Sequence, residues 1–177
     1  MTQYRRCFVK GGCYFFTVNA YNRNGRVLTD NIKMLRAAFK AVRSSHPFEI
    51  NAIVVLPEHL HCILTLPEGD KNFSLRWRLI KSHFSRALPH REHISQSRKS
   101  KGERGVWQRR FWEHLIRNED DYKRHVDYIH YNPVKHNHCS NVSEWLYSSF
   151  HKYLESGVYT ADWGGGLVEK SEGEFGE

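Results

Sequence analysis

FEINAIVVLPEHLHCILTL, residues 48–66, holds two apolar runs separated only by Pro57 and Glu58. A gap this short lets two strands meet as an antiparallel hairpin, with FEINAIVVLP (48–57) as one strand and HLHCILTL (59–66) as the other. Successive side chains of a strand point to opposite faces. Leu60, Cys62 and Leu64 therefore share one face, and His59, His61 and Ile63 share the other. Two imidazoles side by side make half of a metal site. They are equally two ordinary polar residues on the wet face of a sheet, since a functional site wants at least a third ligand.

Upstream, CYFFTVNAY (13–21) is aromatic and β-branched and reads as a strand. NRNGR (22–26) is a turn signal. In TDNIKMLRAAFKAVRSSH (29–46), Ile32, Leu35, Phe39 and Val42 form the stripe of an amphipathic helix, with Thr29 or Asp30 as its cap and Pro47 closing it. Downstream, Asn72 caps a helix over FSLRWRLIKSHFSRAL (73–88). Its stripe is Phe73, Trp77, Ile80 and Phe84, with Arg76, Arg78, Lys81 and Arg86 lying off it. Residues 89–106 are basic and poor in apolar groups, the composition of a mobile loop. WQRRFWEHLI (107–116) reads as a fourth strand. Asn118 then caps EDDYKRHVDYIHYN, whose acidic first turn suits the helix dipole and which Pro133 ends. SEWLYSSFHKYLES (143–156) reads as a short helix, and the Gly-rich, acidic stretch 164–177 as a disordered tail.

The order β-α-β-β-α-β predicts an α+β fold of ferredoxin-like type, with one antiparallel sheet. One domain over residues 1–163 is expected. The first two helices cover one sheet face. The other face is left open for a site, and the histidines are assigned to it.

The 177 residues carry a net charge of +8 and 14% aromatic residues, a balance that suits a polyanionic partner and rings that stack bases. The same balance is also that of a plain domain with a solvated cationic surface. The four cysteines include no CxxC pair, which argues against a zinc ribbon or disulfide framework, and Cys62 reads as a small buried hydrophobe. No stretch is apolar enough to span a bilayer and no cleavable signal is evident, so a cytoplasmic protein is expected.

DYIHYNPVKH, residues 127–136, adds chemistry to the histidine pair. Tyr128 and Asn132 are four apart on one helix and share a face. A tyrosine hydroxyl is a usable nucleophile beside a cation that lowers its pKa from about 10. An Asn carbonyl one turn away can join two histidines around a metal. The bland reading is a core tyrosine followed by a helix-terminal Asn that tolerates the left-handed region. His136 and His138 fall after the proline break, in an expected loop that would preorganise ligands poorly.

His59-Leu60-His61 resembles the histidine–hydrophobe–histidine motif of the HUH single-strand nucleases, and Tyr128 to Asn132 resembles the tyrosine helix of their single-tyrosine transposases. The stretches YRRCFVKGGCYFFTVN, HPFEINAIVVLPEHLHCILTLPEGD, WQRRFWEHLIR, HVDYIHYNPVKH and YSSFHKYLESGVYTADWG resemble more narrowly the REP-associated tyrosine transposases, within the IS200/IS605-like superfamily. The insertion-sequence branch commonly has Gln four residues after its tyrosine. The REP-associated branch has Asn, as Asn132 does here.

The resemblance implies an HUH endonuclease fold whose tyrosine-bearing helix lies near the second sheet face. It implies a metal-dependent transposase that binds and cleaves REP-type hairpins in single-stranded DNA through a 5′-phosphotyrosine at Tyr128. It further implies Mg²⁺ or Mn²⁺ held by His59, His61 and Asn132, and action as a monomer, with the dimer of the insertion-sequence branch as the alternative. Arg76, Arg78, Arg109, Arg110 and His114 are candidate DNA contacts. The alternative is a non-catalytic ferredoxin-like module that binds single-stranded nucleic acid.

Overall fold

The computed structural model describes residues 6–90 and 94–164. Its sheet has four antiparallel strands in the order β2-β3-β1-β4, built from β1 (Cys13–Asn19), β2 (Glu49–Val55), β3 (His59–Thr65) and β4 (Trp112–Leu115). This is the predicted ferredoxin-like arrangement. β1 and β3 are the two central strands, and Tyr14, Phe15, Phe16, Thr17 and Val18 of β1 are all fully buried.

The short α1 (Val27–Asp30) leads into α2 (Ile32–Ser45), and α2 with α3 (Phe73–Ala87) covers one face. Leu60, Cys62 and Leu64 pack there against Leu35, Phe39, Val42, Trp77, Ile80 and Phe84, as the alternation predicts. Asn72 caps α3 by accepting from the Leu75 N–H at 3.0 Å. The predicted start of the first helix is corrected. Neither Thr29 nor Asp30 caps α2; the chain breaks at Asn31, whose side chain donates back to the Val27 carbonyl at 2.9 Å.

The second face, open on the strand order alone, carries the tyrosine-bearing helix that the resemblance puts there, and that helix covers it. α5 (Glu119–Lys135) lies across it and packs Val126, Tyr128 and Ile129 on Phe15, Ala52, Val54 and Ile63. Large apolar side chains on that face make coverage favourable, at roughly 1.5–3 kcal/mol for each one fully buried.

Pro133 does not end α5, which runs on to Lys135. The proline removes one bond to the carbonyl four residues back, but the end is still held by the His136 N–H donating to the Asn132 carbonyl at 3.0 Å and the His138 N–H to the Pro133 carbonyl at 2.9 Å. The helix is stopped by Asn137, which takes the left-handed conformation at φ 57° and donates its N–H to the Val134 carbonyl at 3.0 Å.

β4 is shorter than predicted, and Trp107 makes only an isolated bridge to Ala20. Within 89–106 a one-turn helix, α4 (Gln96–Lys99), forms, and Arg104 donates to the carbonyls of Leu88 and Pro89 at 2.8 and 2.9 Å. The segment 143–156 divides into a 3₁₀ turn (Val142–Glu144) and α6 (Phe150–Glu155). Between them the chain borders β2: the Val55 N–H donates to the Tyr147 carbonyl and the Ser149 N–H to the Ile53 carbonyl, both at 2.8 Å. Residues 165–177 of the expected tail lie outside the described residues. Among the described residues no helix is long and apolar enough to cross a membrane.

Candidate active site

Strand alternation puts His59 and His61 on the α5 side of β3. Both are fully buried, with ring centroids 4.8 Å apart and planes at 82°. The reading of two wet surface histidines is thereby removed. Each ring is held through Nδ1. Register places Thr17 of β1 opposite His61, and its Oγ1 lies 2.9 Å from His61 Nδ1. Glu58 Oε1 lies 2.8 Å from His59 Nδ1. Burial pushes the Glu58 carboxyl upward, but the hydrogen bond from His59, their charge interaction and nearby Arg23 leave it net below the usual carboxylate range. An ionised carboxylate only accepts, so a proton sits on His59 Nδ1, and in the neutral ring this leaves the lone pair on Nε2. Oriented imidazoles with outer carboxylate and hydroxyl partners suit a divalent cation.

α5 supplies the rest. Asn118 caps it by accepting from the Asp121 N–H at 2.9 Å, and Glu119, Asp120 and Asp121 fill its first turn. Tyr128 and Asn132 are both buried. The Tyr128 ring meets His61 edge-on with centroids 5.3 Å apart. Lys135, seven residues on, donates from Nζ to the Tyr128 hydroxyl at 3.2 Å. Because α5 continues through Pro133, His136 is carried against His59, with ring centroids 5.1 Å apart. His136 is thus beside the site rather than in a remote loop.

Thr17, Glu58 and Lys135 were missed in the sequence. Glu58 had a signal in its adjacency to His59. The other two depend on strand register and helix length.

The expected DNA contacts separate into different environments. Arg76 is corrected: it is buried, and its guanidinium donates to the Pro47 carbonyl at 2.6 Å, the Asn72 carbonyl at 3.1 Å and Asp70 Oδ2 at 2.8 Å. It braces the fold. His114 pairs with Asp121 at 2.9 Å and not with the histidine pair. Arg78 and Arg110 are exposed, and Arg109 pairs with Glu103 at 2.7 Å. Arg78 and Arg109 line a cleft of about 940 Å³ between α3 and the 98–111 segment, together with Arg6, Lys81, Arg86, Trp107 and Phe111. Burial, with Arg6 nearby, lowers the Lys81 pKa to about 8. Cations interleaved with aromatic rings are the lining that suits a nucleic-acid strand.

No family model matches the chain. It is 51% identical over 174 residues to the REP-associated tyrosine transposase of Escherichia coli K12, with 98% of each chain covered. A relative from Haemophilus influenzae is 45% identical over 176 residues, covering 99% of this chain and all of that one. A solved REP-associated tyrosine transposase bound to a REP hairpin superimposes with a TM-score of 0.82 at 50% identity, covering 98% of both chains. Identity at this level across essentially the whole length, over the fold just described, makes this chain a member of the REP-associated tyrosine transposase family.

Proposed function

We propose that this chain is a single-strand DNA endonuclease and strand transferase that binds and cleaves REP-type hairpins, with Tyr128 as its nucleophile. The observation that carries the reading is the Tyr128 hydroxyl, which accepts from the Lys135 ammonium at 3.2 Å while its ring lies against His61. Binding to a REP hairpin by a solved relative at 50% identity supports the substrate class.

In the proposed reaction the Tyr128 oxygen forms a bond to a backbone phosphorus and the bond from phosphorus to the 3′ oxygen breaks. The phenol proton is released and the departing 3′ oxygen takes up a proton. The products are a 5′-phosphotyrosyl enzyme and a free 3′-hydroxyl. A 3′-hydroxyl from another strand end reverses the step and transfers the strand. The Lys135 ammonium stabilises charge on the Tyr128 oxygen along this path. His59, His61 and the Asn132 side-chain carbonyl would hold Mg²⁺ or Mn²⁺, which when bound polarises the scissile phosphate. Two imidazole donors favour Mn²⁺ over Mg²⁺.

Tyr122 is a poor competitor for the nucleophile. Burial and the Tyr153 hydroxyl at 3.4 Å push its pKa far up. Tyr128→Phe removes one oxygen and keeps the ring, so it should fold and bind a labelled REP hairpin as wild type does, yet neither cut nor form an adduct. Tyr122→Phe and Tyr131→Phe should keep activity. A nucleotide found by mass spectrometry on another tyrosine would refute the assignment. Cleavage without any adduct would make water the nucleophile. Hairpin binding without cleavage in any divalent metal would leave a non-catalytic binding module.

A further inference from the structure

A second cluster of metal-binding side chains stands apart from the histidine pair. His114 comes from β4, an edge strand of the sheet, and Asp121 and His125 come from the first two turns of α5. His114 Nε2 is 2.9 Å from Asp121 Oδ2, and His125 Nδ1 is 3.1 Å from Asp121 Oδ1. The two imidazoles stack with centroids 4.7 Å apart and planes at 12°. One ligand atom from each residue lies within 4.8 Å of the others. Phe15 separates this cluster from the first site, its ring 4.8 Å from His125 on one side and 5.5 Å from His61 on the other.

We propose that His114, Asp121 and His125 form a second metal site, structural in role, for a borderline divalent cation such as Zn²⁺. Two imidazoles and one carboxylate are a zinc-type donor set, completed by water. Zinc bonds of 2.0–2.1 Å in tetrahedral geometry put ligand atoms about 3.3 Å apart. His114 Nε2 and His125 Nδ1 stand 2.9 and 3.1 Å from different oxygens of Asp121, and with one ligand atom from each residue within 4.8 Å of the others the set closes on a cation by side-chain shifts of at most about 1.5 Å. Asp121 and His125 are nearly closed off, while the His114 side chain is 24% exposed and leaves a route from solvent.

Other groups at the cluster set the terms of binding. The Arg117 N–H donates to Asp121 Oδ2 at 2.9 Å, and the Arg124 guanidinium lies 3.5 Å from Oδ1. His125 Nδ1 also donates to the Asp121 backbone carbonyl at 2.7 Å, so ligation through Nδ1 gives up that bond and shifts the ring proton to Nε2. A cation here would tie β4 to the start of α5, with His125 three residues before Tyr128. It would thus hold the nucleophile's helix in register over the strand that carries His59 and His61.

The inference does not depend on Tyr128 being the nucleophile, and its test does not use cleavage. Full-length protein is dialysed against Zn²⁺, and bound metal is counted by mass spectrometry on samples whose fold is checked by circular dichroism. Wild type should hold two zinc equivalents. His59→Gln/His61→Gln should hold one, and so should His114→Gln and Asp121→Asn. If Asp121→Asn fails to fold, His114→Gln on the partly exposed edge carries the comparison. In the His59→Gln/His61→Gln background, zinc at a hundredfold excess over Kd should raise Tm by roughly 5–10 °C. Adding His114→Gln should remove that rise. A single equivalent in wild type that disappears in His59→Gln/His61→Gln would overturn the proposal. So would a zinc count unchanged by both His114→Gln and Asp121→Asn.

Discussion

Lys135→Met removes a cation that touches the proposed nucleophile. The Nζ donates to the Tyr128 hydroxyl at 3.2 Å and also lies 4.9 Å from the ring centroid. A hydrogen bond from a charged group contributes about 1.5–3 kcal/mol when well formed. Lys135 is exposed and its contact is longer than the best charge-assisted bonds, so screening reduces that figure to about 1–2 kcal/mol. This corresponds to a loss of roughly 5- to 30-fold in the rate of the chemical step. The assay is single-turnover cleavage of a labelled REP hairpin at saturating protein, with covalent adduct followed in parallel. Both should slow together, while hairpin Kd changes by no more than the loss of one surface charge allows. Lys135→Arg should restore part of the rate, since it keeps the charge with different geometry. If Lys135→Met cleaved at the wild-type rate once saturated, with the whole defect in Kd, Lys135 would be a phosphate contact and the argument for its action on Tyr128 would fail.

Arg76→Ala should lower stability by about 2–4 kcal/mol in urea, because it strips partners from the Pro47 carbonyl and Asp70, yet leave hairpin affinity unchanged in the folded fraction; a selective loss of affinity would return Arg76 to the DNA interface. Glu58→Gln should weaken Mn²⁺ binding by roughly tenfold in a calorimetric titration, since the carboxylate orients His59 through Nδ1, and an unchanged affinity would separate Glu58 from the metal. Lys81 loses its proton as pH rises through about 8, so hairpin affinity should fall between pH 7 and 9 in wild type, with the salt slope reduced by about one phosphate contact. Lys81→Arg should flatten that profile; a fall of equal size in the variant would assign the pH dependence to another group.

Local patterns in the sequence determined much of this protein. Alternation along residues 59–66 is enough to put His59 and His61 on one face and Leu60, Cys62 and Leu64 on the other, because the period of a strand is two. Asn72 and Asn118 mark their helix starts by a hydrogen bond that spans three residues, and the Tyr128–Asn132 pair follows from one helical turn. What lies across the sheet has no such local rule. Phe15, Val54 and Ile63 alternate in the same way whether water or a helix covers them; only the return of α5 over the sheet buries the histidines. Cross-strand register brings Thr17 to His61 from 44 residues away. Proline was the misleading local signal. It removes one bond, yet the following N–H groups still pair, His136 with the Asn132 carbonyl at 3.0 Å, so α5 runs on to Lys135, and that extra length brings Lys135 to Tyr128 and His136 to His59. Arg76 looked like a surface charge because helical periodicity tells only how far it stands from the apolar stripe. The carbonyl of Pro47, 29 residues earlier, turned it into a buried brace, and a long-range partner of that kind exists only in the assembled fold.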